Sequence, residues 1–124
     1  MNELKEFLSE DEISEYDSQC NELAKRESVS KVHCCVIVKP GTFERVACFI
    51  REPNFPTKLN VLSKMVSLGI YPASDELREA CTIKDASDPL TYGESAECDD
   101  YKLGVVNFCM GIIKPLQNVY DKKK

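Results

Sequence analysis

The chain has 124 residues, of which 43% are hydrophobic and 30% are charged, a composition typical of a soluble globular domain with one core. Its formal net charge of -5 argues against a dedicated nucleic-acid binder, whose affinity would depend on neutralising phosphates. No apolar run approaches the roughly 18 residues that a membrane-spanning helix needs. The acidic start of the chain also lacks the basic and apolar regions of a secretory signal.

The N-terminal segment is strongly acidic. Residues 1–27 carry nine acidic and three basic side chains, whereas residues 28–72 carry six basic and two acidic ones. Ser9 and Glu12 have the spacing of a capping box, which predicts a helix from about Glu10 to Arg26. The apolar stripe of this helix is thin, so we expect it to pack loosely or to move. Two interpretations stay open: an acidic helix packed on a mildly basic sheet, or an acidic arm that shields a basic surface until a partner displaces it.

A β-hairpin is predicted after this helix. Apolar and polar residues alternate from Val32 to Val38, and a second apolar run extends from Phe43 to Ile50. Between the runs, Pro40 presets φ and Gly41 accepts a positive φ, so this segment predicts a turn. The second run is apolar on both faces, which indicates burial on both sides. We expect helices to cover one face of the sheet, and a third strand, another protein or a second copy to cover part of the other.

Two helices are predicted to follow the hairpin. The first has Asn54 as its N-cap and Pro56 in its first turn, and it ends at Gly69 in a left-handed conformation. A tight apolar link leads to a short second helix, from Asp75 to about Thr82, which Ser74 is expected to cap. Residues 84–98 then form a long connection, and connections of this length are usually functional or mobile.

The final helix is predicted to begin near Asp99 and to bend or end at Pro115. It is apolar nearly all round, which indicates that it is central or docks against something. One stripe comprises Tyr101, Val105, Phe108 and Ile112, and the other comprises Leu103, Val106, Met110 and Ile113. We expect one stripe to face the hairpin and the other, or its continuation, to bind a partner or a second copy.

The predicted partner-binding residues are Leu116, Val119 and Tyr120. Pro115 separates them from the helix body, and the lysine tail keeps them near solvent. Taken together, the elements predict a single α+β domain over residues 1–124, in which a hairpin packs against four or five helices. Its parts are an acidic helical arm, an α+β core and a basic tail, at residues 1–27, 28–120 and 121–124.

Few residues suggest catalysis. His33 is the one histidine, and a nucleophile–histidine pair would combine it with Cys35 or Ser30. It lies in mid-strand without a glycine elbow, so we interpret it as structural. The seven cysteines are odd in number and lack C-x-x-C spacing, so they are expected to be unbridged core thiols in a reducing cytoplasm. No catalytic residue and no cofactor is predicted.

Metal binding is not predicted either. A zinc site from His33, Cys35 and Cys98 would need a coincidence of tertiary structure, because short-spaced ligand pairs are missing. The carboxylates between residues 85 and 100 lack the order of an EF-hand loop, and nothing selects two of them as a glycosidase pair. These carboxylates are Asp85, Asp88, Glu94, Glu97, Asp99 and Asp100.

The order of the motifs resembles a family of small phage and prophage proteins, many uncharacterised and some described as tail assembly chaperone-like. The resemblance extends over about residues 32–113. It rests on Arg51-Glu52-Pro53 after the hairpin, the Leu59–Met65 helix, the Asp75–Cys81 helix, Ser87-Asp88-Pro89 in the polar link and Asp99-Asp100-Tyr101 at the start of the final helix.

The resemblance implies a non-enzymatic bacteriophage accessory protein that binds another phage protein during tail assembly. Such a protein would act in the host cytoplasm or in association with the virion, without binding nucleic acid, a membrane or a cofactor. The alternative is a small structural component of the virion, or a host-directed regulator, that acts as an oligomer.

Overall fold

The computed structural model of the protein describes residues 8–113 and has the predicted α+β class. Over these described residues, four helices accompany one antiparallel hairpin, which confirms the expected hairpin packed against four or five helices. In chain order the elements are α1 (Glu10–Glu27), β1 (Val32–Val38), β2 (Arg45–Arg51), α2 (Phe55–Leu68), α3 (Ile70–Cys81) and α4 (Asp99–Cys109). Two short 3-10 turns, Pro89–Thr91 and Ala96–Cys98, lie between α3 and α4.

Two of the three predicted helix caps, Ser9 and Asn54, are present. The Ser9 hydroxyl accepts a hydrogen bond from the Glu12 backbone N–H at 3.1 Å, and the Glu12 carboxylate accepts one from the Ser9 N–H at 2.9 Å. At α2, the Asn54 side chain accepts from the Thr57 N–H at 2.9 Å. These short-range bonds satisfy backbone donors that have no partner inside the helix, and they therefore determine where α1 and α2 begin.

The hairpin pairs Cys34 with Phe49 and Cys35 with Cys48 across its two strands. Gly41 has the expected positive φ of 83° in the turn. The second strand begins at Arg45, so its predicted start at Phe43 is wrong. Phe43 belongs to the turn and has a φ of 61°, which is incompatible with an extended strand.

Helix α3 begins five residues earlier than the sequence predicts, immediately after Gly69. The φ of Gly69 is positive, at 103°, but its ψ of 174° lies outside the left-handed helical region, in a region that essentially only glycine occupies. The predicted link at residues 70–72 is the first turn of α3, where the missing N–H of Pro72 costs nothing. Ser74 is buried inside this helix and does not cap it.

Helices cover both faces of the hairpin. On one face, α2, α3 and α4 enclose the main core, whose buried members include Cys35, Cys48, Ile50, Val61, Leu77, Val105 and Cys109. On the other face, α1 packs over a smaller cluster formed by Val32, Phe49 and Ile83. The sequence predicts a third strand, another protein or a second copy over part of this face. Within residues 8–113 no third strand pairs with the hairpin, and the acidic helix α1 lies on this face instead.

The acidic side chains of α1 pair with arginines of β2. Glu12 contacts Arg45 at 3.0 Å, and Glu27 contacts Arg51 at 3.3 Å. The hydrogen bond from Arg45 lowers the pKa of Glu12 to about 2. The structure thus has an acidic helix packed on a basic strand, and displacement of that helix by a partner stays a prediction.

The connection between α3 and α4 covers the outer edge of β2. Phe49 accepts a hydrogen bond from the Ile83 N–H at 2.8 Å and donates its own N–H to the Ser87 hydroxyl at 2.9 Å. The Asp88 N–H donates to the Ala47 carbonyl at 2.8 Å. These bonds protect a strand edge that would otherwise present unpaired backbone groups, so this segment has a structural role.

Helix α4 ends at Cys109, before a turn at residues 110–112, whereas the sequence predicts an end near Pro115. Its first apolar stripe faces the core as expected, because Val105 is buried and Phe108 and Ile112 pack against the same cluster. In the second stripe Val106 is also buried, and Leu103 is 63% exposed. Only part of that stripe is therefore free to bind a partner.

Candidate functional site

The most prominent exposed apolar surface lies along α2. Phe55, Leu59, Leu62 and Val66 follow one another at intervals of four, three and four residues, so they lie on one narrow face of the helix. Phe55 is 69% exposed, Leu59 is 49% exposed and Val66 is 88% exposed, while Leu62 is half-buried. We name this set the α2 stripe. The opposite side of the helix holds Val61, which is buried in the main core.

A groove runs beside the α2 stripe. It has a volume of about 260 Å³ and separates α2 from the turn that follows α4. Phe55, Leu59 and Leu62 form one wall, and Ile112 and Ile113 contribute to the opposite side. Pro53, Val61 and Leu77 also line it. An apolar concave surface next to an apolar helix face is typical of sites that bind another polypeptide.

Three charged or ionisable side chains meet at the rim of this groove. Glu52 contacts the Nε2 atom of His33 at 2.6 Å and the Lys58 ammonium at 3.1 Å. Desolvation by burial raises the pKa of Glu52, but the hydrogen bonds from His33 and Lys58 outweigh it, and the pKa is lowered overall. The carboxylate is thus ionised and paired internally, which leaves the groove itself apolar.

This pairing explains the position of His33. Within residues 8–113, no hydrogen bond joins His33 to Cys35 or Ser30, the two nucleophiles that the sequence offered for a catalytic pair. Its Nε2 atom contacts a carboxylate on the strand end instead. Through Glu52 and Lys58, the contacts connect the end of β2 to the beginning of α2. They do not place His33 beside a nucleophile that it could activate.

Burial suppresses the ionisation of several thiols. All seven cysteines are free. Burial raises the pKa values of Cys34, Cys35 and Cys109 to about 12, so these thiols stay protonated at neutral pH. Over residues 8–113, no group of three or more histidine, cysteine or acidic side chains is arranged to hold a metal ion, so His33, Cys35 and Cys98 do not form the zinc site considered above.

The carboxylates between residues 85 and 100 do not converge. Asp85 pairs with Arg26 of α1 at 2.9 Å, and Asp88 caps the 3-10 turn that follows it. Asp99 and Asp100 lie in the first turn of α4, where the helix dipole favours negative charge. The two glutamates, Glu94 and Glu97, are exposed. These positions are those of caps and surface charges.

The predicted partner-binding residues, Leu116, Val119 and Tyr120, lie outside the described residues. The last described residue, Ile113, lines the groove beside α2. Sequence reasoning missed the α2 stripe as a binding surface, although the signal was present. The helix carries two apolar lines, one through Leu59 and Val66 and the other through Val61 and Met65, and a helix on a small core needs only one.

Comparison with known proteins found no matching family model, no matching curated protein and no matching solved structure. Among the described helices, none has both the length and the apolar character needed to cross a membrane. The resemblance to phage proteins therefore stays a prediction from the sequence motifs.

Proposed function

We propose that the protein is a non-enzymatic accessory protein that binds an apolar helical segment of another protein in the groove beside α2. The observation that carries this proposal is the exposure of the α2 stripe. Scattered apolar residues on a surface need no explanation, but four in register beside an apolar groove are a common feature of binding surfaces.

The dimensions of the surface favour a helix as the bound segment. Phe55 and Val66 are separated by 11 positions along α2, which corresponds to about 16 Å at the usual rise per residue. This length equals about three turns of a second helix, and partner helices are held through anchors of similar spacing. The charge of Glu52 is already paired with His33 and Lys58, so the partner needs no charged group to balance it.

The motif order supports a particular biological setting. By its resemblance to tail assembly chaperone-like proteins, the partner is another phage protein that exposes an apolar segment before it joins the virion. Shielding of such a segment requires a binding surface and no catalytic group. The paired His33 and the protonated buried thiols are consistent with that requirement.

The test compares two variants that change different exposed surfaces. Leu59→Ser, combined with Val66→Ser, removes apolar area from the α2 stripe. Leu103→Ser is the matched control, because Leu103 is also an exposed leucine but lies on α4 beside a cleft with charged walls. All three positions are exposed, so we expect both proteins to keep the melting temperature of the unchanged protein to within about 2 °C.

Binding is measured after co-purification from phage-producing cells, with the captured phage protein then purified and titrated against each variant. We expect the stripe variant to bind at least about tenfold more weakly and the Leu103→Ser control to bind normally. Equal affinity of the stripe variant and the unchanged protein would refute the proposal. Light scattering of the purified chain tests the alternative. If the unchanged protein forms a defined oligomer and the stripe variant is a monomer, the protein is an oligomeric virion component or regulator.

A further variant tests the C-terminal prediction separately. Leu116→Ala with Tyr120→Ala should leave folding intact and weaken association if these residues contact the partner. If the double variant unfolds, or if it changes no association, the assignment of Leu116, Val119 and Tyr120 as partner-binding residues is wrong. That outcome would leave the proposal for the α2 stripe unchanged.

A further inference from the structure

Helix α1 is held on the sheet by contacts that are individually weak. None of its described side chains is fully buried. Its inner side consists of the half-buried Tyr16, Cys20, Leu23 and Ala24, and the Tyr16 ring lies 6.4 Å from the Phe49 ring. Ion pairs to Arg45, Arg51 and Asp85 add to these contacts. A covalent link between α1 and the sheet would therefore add much to the attachment of this helix.

Two thiols lie at this interface. Cys20 lies on the inner side of α1, and Cys34 lies on the face of β1 that α1 covers. Both side chains pack against the same small cluster beneath α1. Both are only half-buried, whereas the other five cysteines are buried. Cys20 and Cys34 also line an open cavity of about 530 Å³ between α1 and the edge of β1, so a small oxidant has access to them.

We propose that Cys20 and Cys34 are a redox-sensitive pair whose reversible disulfide fastens α1 to the hairpin. This proposal does not depend on the function proposed for the α2 groove, because it concerns the opposite face of the sheet. The neighbouring Cys35 is excluded as a member of the pair. It points to the other face of the strand, where it is buried among residues of the main core.

Burial gives the two thiols different roles. Desolvation raises the pKa of both, and it raises the pKa of Cys34 to about 12. Cys20 is consequently the thiol that ionises more readily and reacts first. Cys34, whose pKa is raised to about 12, reacts second. Since the thiolate is the reactive form, the reaction is slow at neutral pH and accelerates as the pH rises.

The reaction with hydrogen peroxide balances as follows. The Cys20 thiolate attacks one peroxide oxygen, so that an S–O bond forms, the O–O bond breaks and hydroxide leaves. The Cys34 sulfur then attacks the sulfenic sulfur of Cys20, so that the S–S bond forms and the S–O bond breaks. The released hydroxide takes up the Cys34 proton. In sum, two thiols are oxidised to one disulfide and one peroxide molecule is reduced to two water molecules.

The experiment treats the reduced full-length protein with excess hydrogen peroxide at pH 8 and alkylates the remaining thiols under denaturing conditions. We expect the number of free thiols to fall from seven to five in a monomer and the mass before alkylation to fall by about 2 Da. Proteolysis should yield one cross-linked peptide pair that contains Cys20 and Cys34. Dithiothreitol should restore all seven thiols. Closure of a loop of about 15 residues should raise the melting temperature by roughly 10 °C.

Three variants test the identity of the pair. Cys20→Ser and Cys34→Ser should each abolish both the cross-link and the rise in melting temperature. Both side chains are only half-buried, so a serine hydroxyl at either position can still reach water. Cys35→Ala should still form the cross-link. If that variant does not fold, Cys81→Ala replaces it as the control. A cross-link between other cysteines, a disulfide-linked dimer, or oxidation of Cys20 to sulfinic acid with Cys34 still free would each overturn the proposal.

Discussion

Two buried serines should respond in opposite directions to the same substitution. Ser87 and Ser74 are both buried, at 8% and 0% exposure. The Ser87 hydroxyl accepts a hydrogen bond from the buried Phe49 N–H at 2.9 Å. Within residues 8–113, the Ser74 hydroxyl has no hydrogen-bond partner at all. Ser87→Ala therefore creates an unpaired buried donor, whereas Ser74→Ala removes an unpaired buried hydroxyl.

The magnitudes follow from this difference. Leaving the Phe49 N–H without an acceptor should destabilise the protein by about 1–3 kcal/mol. Ser74→Ala should stabilise it by about 1 kcal/mol, because alanine is the better helix former and no buried hydroxyl remains to be desolvated. At roughly 4 °C for each kcal/mol, the two melting temperatures should differ by about 8 °C or more.

Urea denaturation in the presence of a reductant measures the change in the free energy of unfolding for both variants. Equal dependence of that free energy on urea concentration would show that the unfolded states are comparable. Ser63→Ala on the exposed side of α2 is the control, because it reports the gain in helix propensity without any change in burial. If Ser74→Ala destabilises the protein, or if Ser87→Ala matches the unchanged protein, the account of these two hydroxyls is wrong.

Three further predictions concern charge, backbone conformation and the histidine. Because Arg45 lowers the pKa of Glu12 from 4.5 to about 2, their pairing contributes stability above about pH 4.5 and loses it as the pH falls toward 2. Glu12→Gln keeps an acceptor for the Ser9 N–H, so urea titrations between pH 5 and 2 should show a shallower loss of stability in this variant than in the unchanged protein. Gly69→Ala should cost about 1–3 kcal/mol through backbone strain alone, since no atom lies within 4 Å of the added carbon, while Gly111→Ala should cost far less. His33→Gln should cost about 1 kcal/mol and leave partner binding and the metal content by elemental analysis unchanged, and loss of a bound metal on this substitution would contradict the structural interpretation of His33.

The parts of the fold that short-range chemistry determines could be predicted from the sequence. Ser9 with Glu12, and Asn54 with Pro56, mark the starts of α1 and α2, because caps depend on residues three positions apart or fewer. The alternation around the turn at Gly41 predicted the hairpin for the same reason. The start of α3 was missed because Ser74 has the character of a cap. Its burial depends on tertiary contacts that the sequence does not display.

The long-range contacts could not be predicted. Nothing local indicates that Ser87 completes the edge of β2, or that α1 covers the second face of the sheet. The candidate site shows the same division. Two apolar lines on α2 were visible in the sequence, but which of them is buried depends on where α3 and α4 pack. The prediction of a free binding surface was therefore assigned to the end of the chain, and the exposed stripe on α2 was overlooked.

The helices on the two faces of the hairpin differ in how many buried contacts hold them. This difference allows the α2-groove proposal and the Cys20–Cys34 proposal to be tested independently. The α2–α4 side contains side chains that are completely buried, such as Ile50, Leu77 and Val105, whereas α1 contributes none. Local opening of a structure begins where few apolar contacts must be broken, so α1 should exchange its amide hydrogens faster than α3. A disulfide between Cys20 and Cys34 would slow exchange in α1 and leave the α2 groove unchanged, since the main core lies between them. Oxidised and reduced protein should therefore bind the α2 partner with equal affinity. A large change in affinity on oxidation would show instead that the two faces are coupled through the sheet.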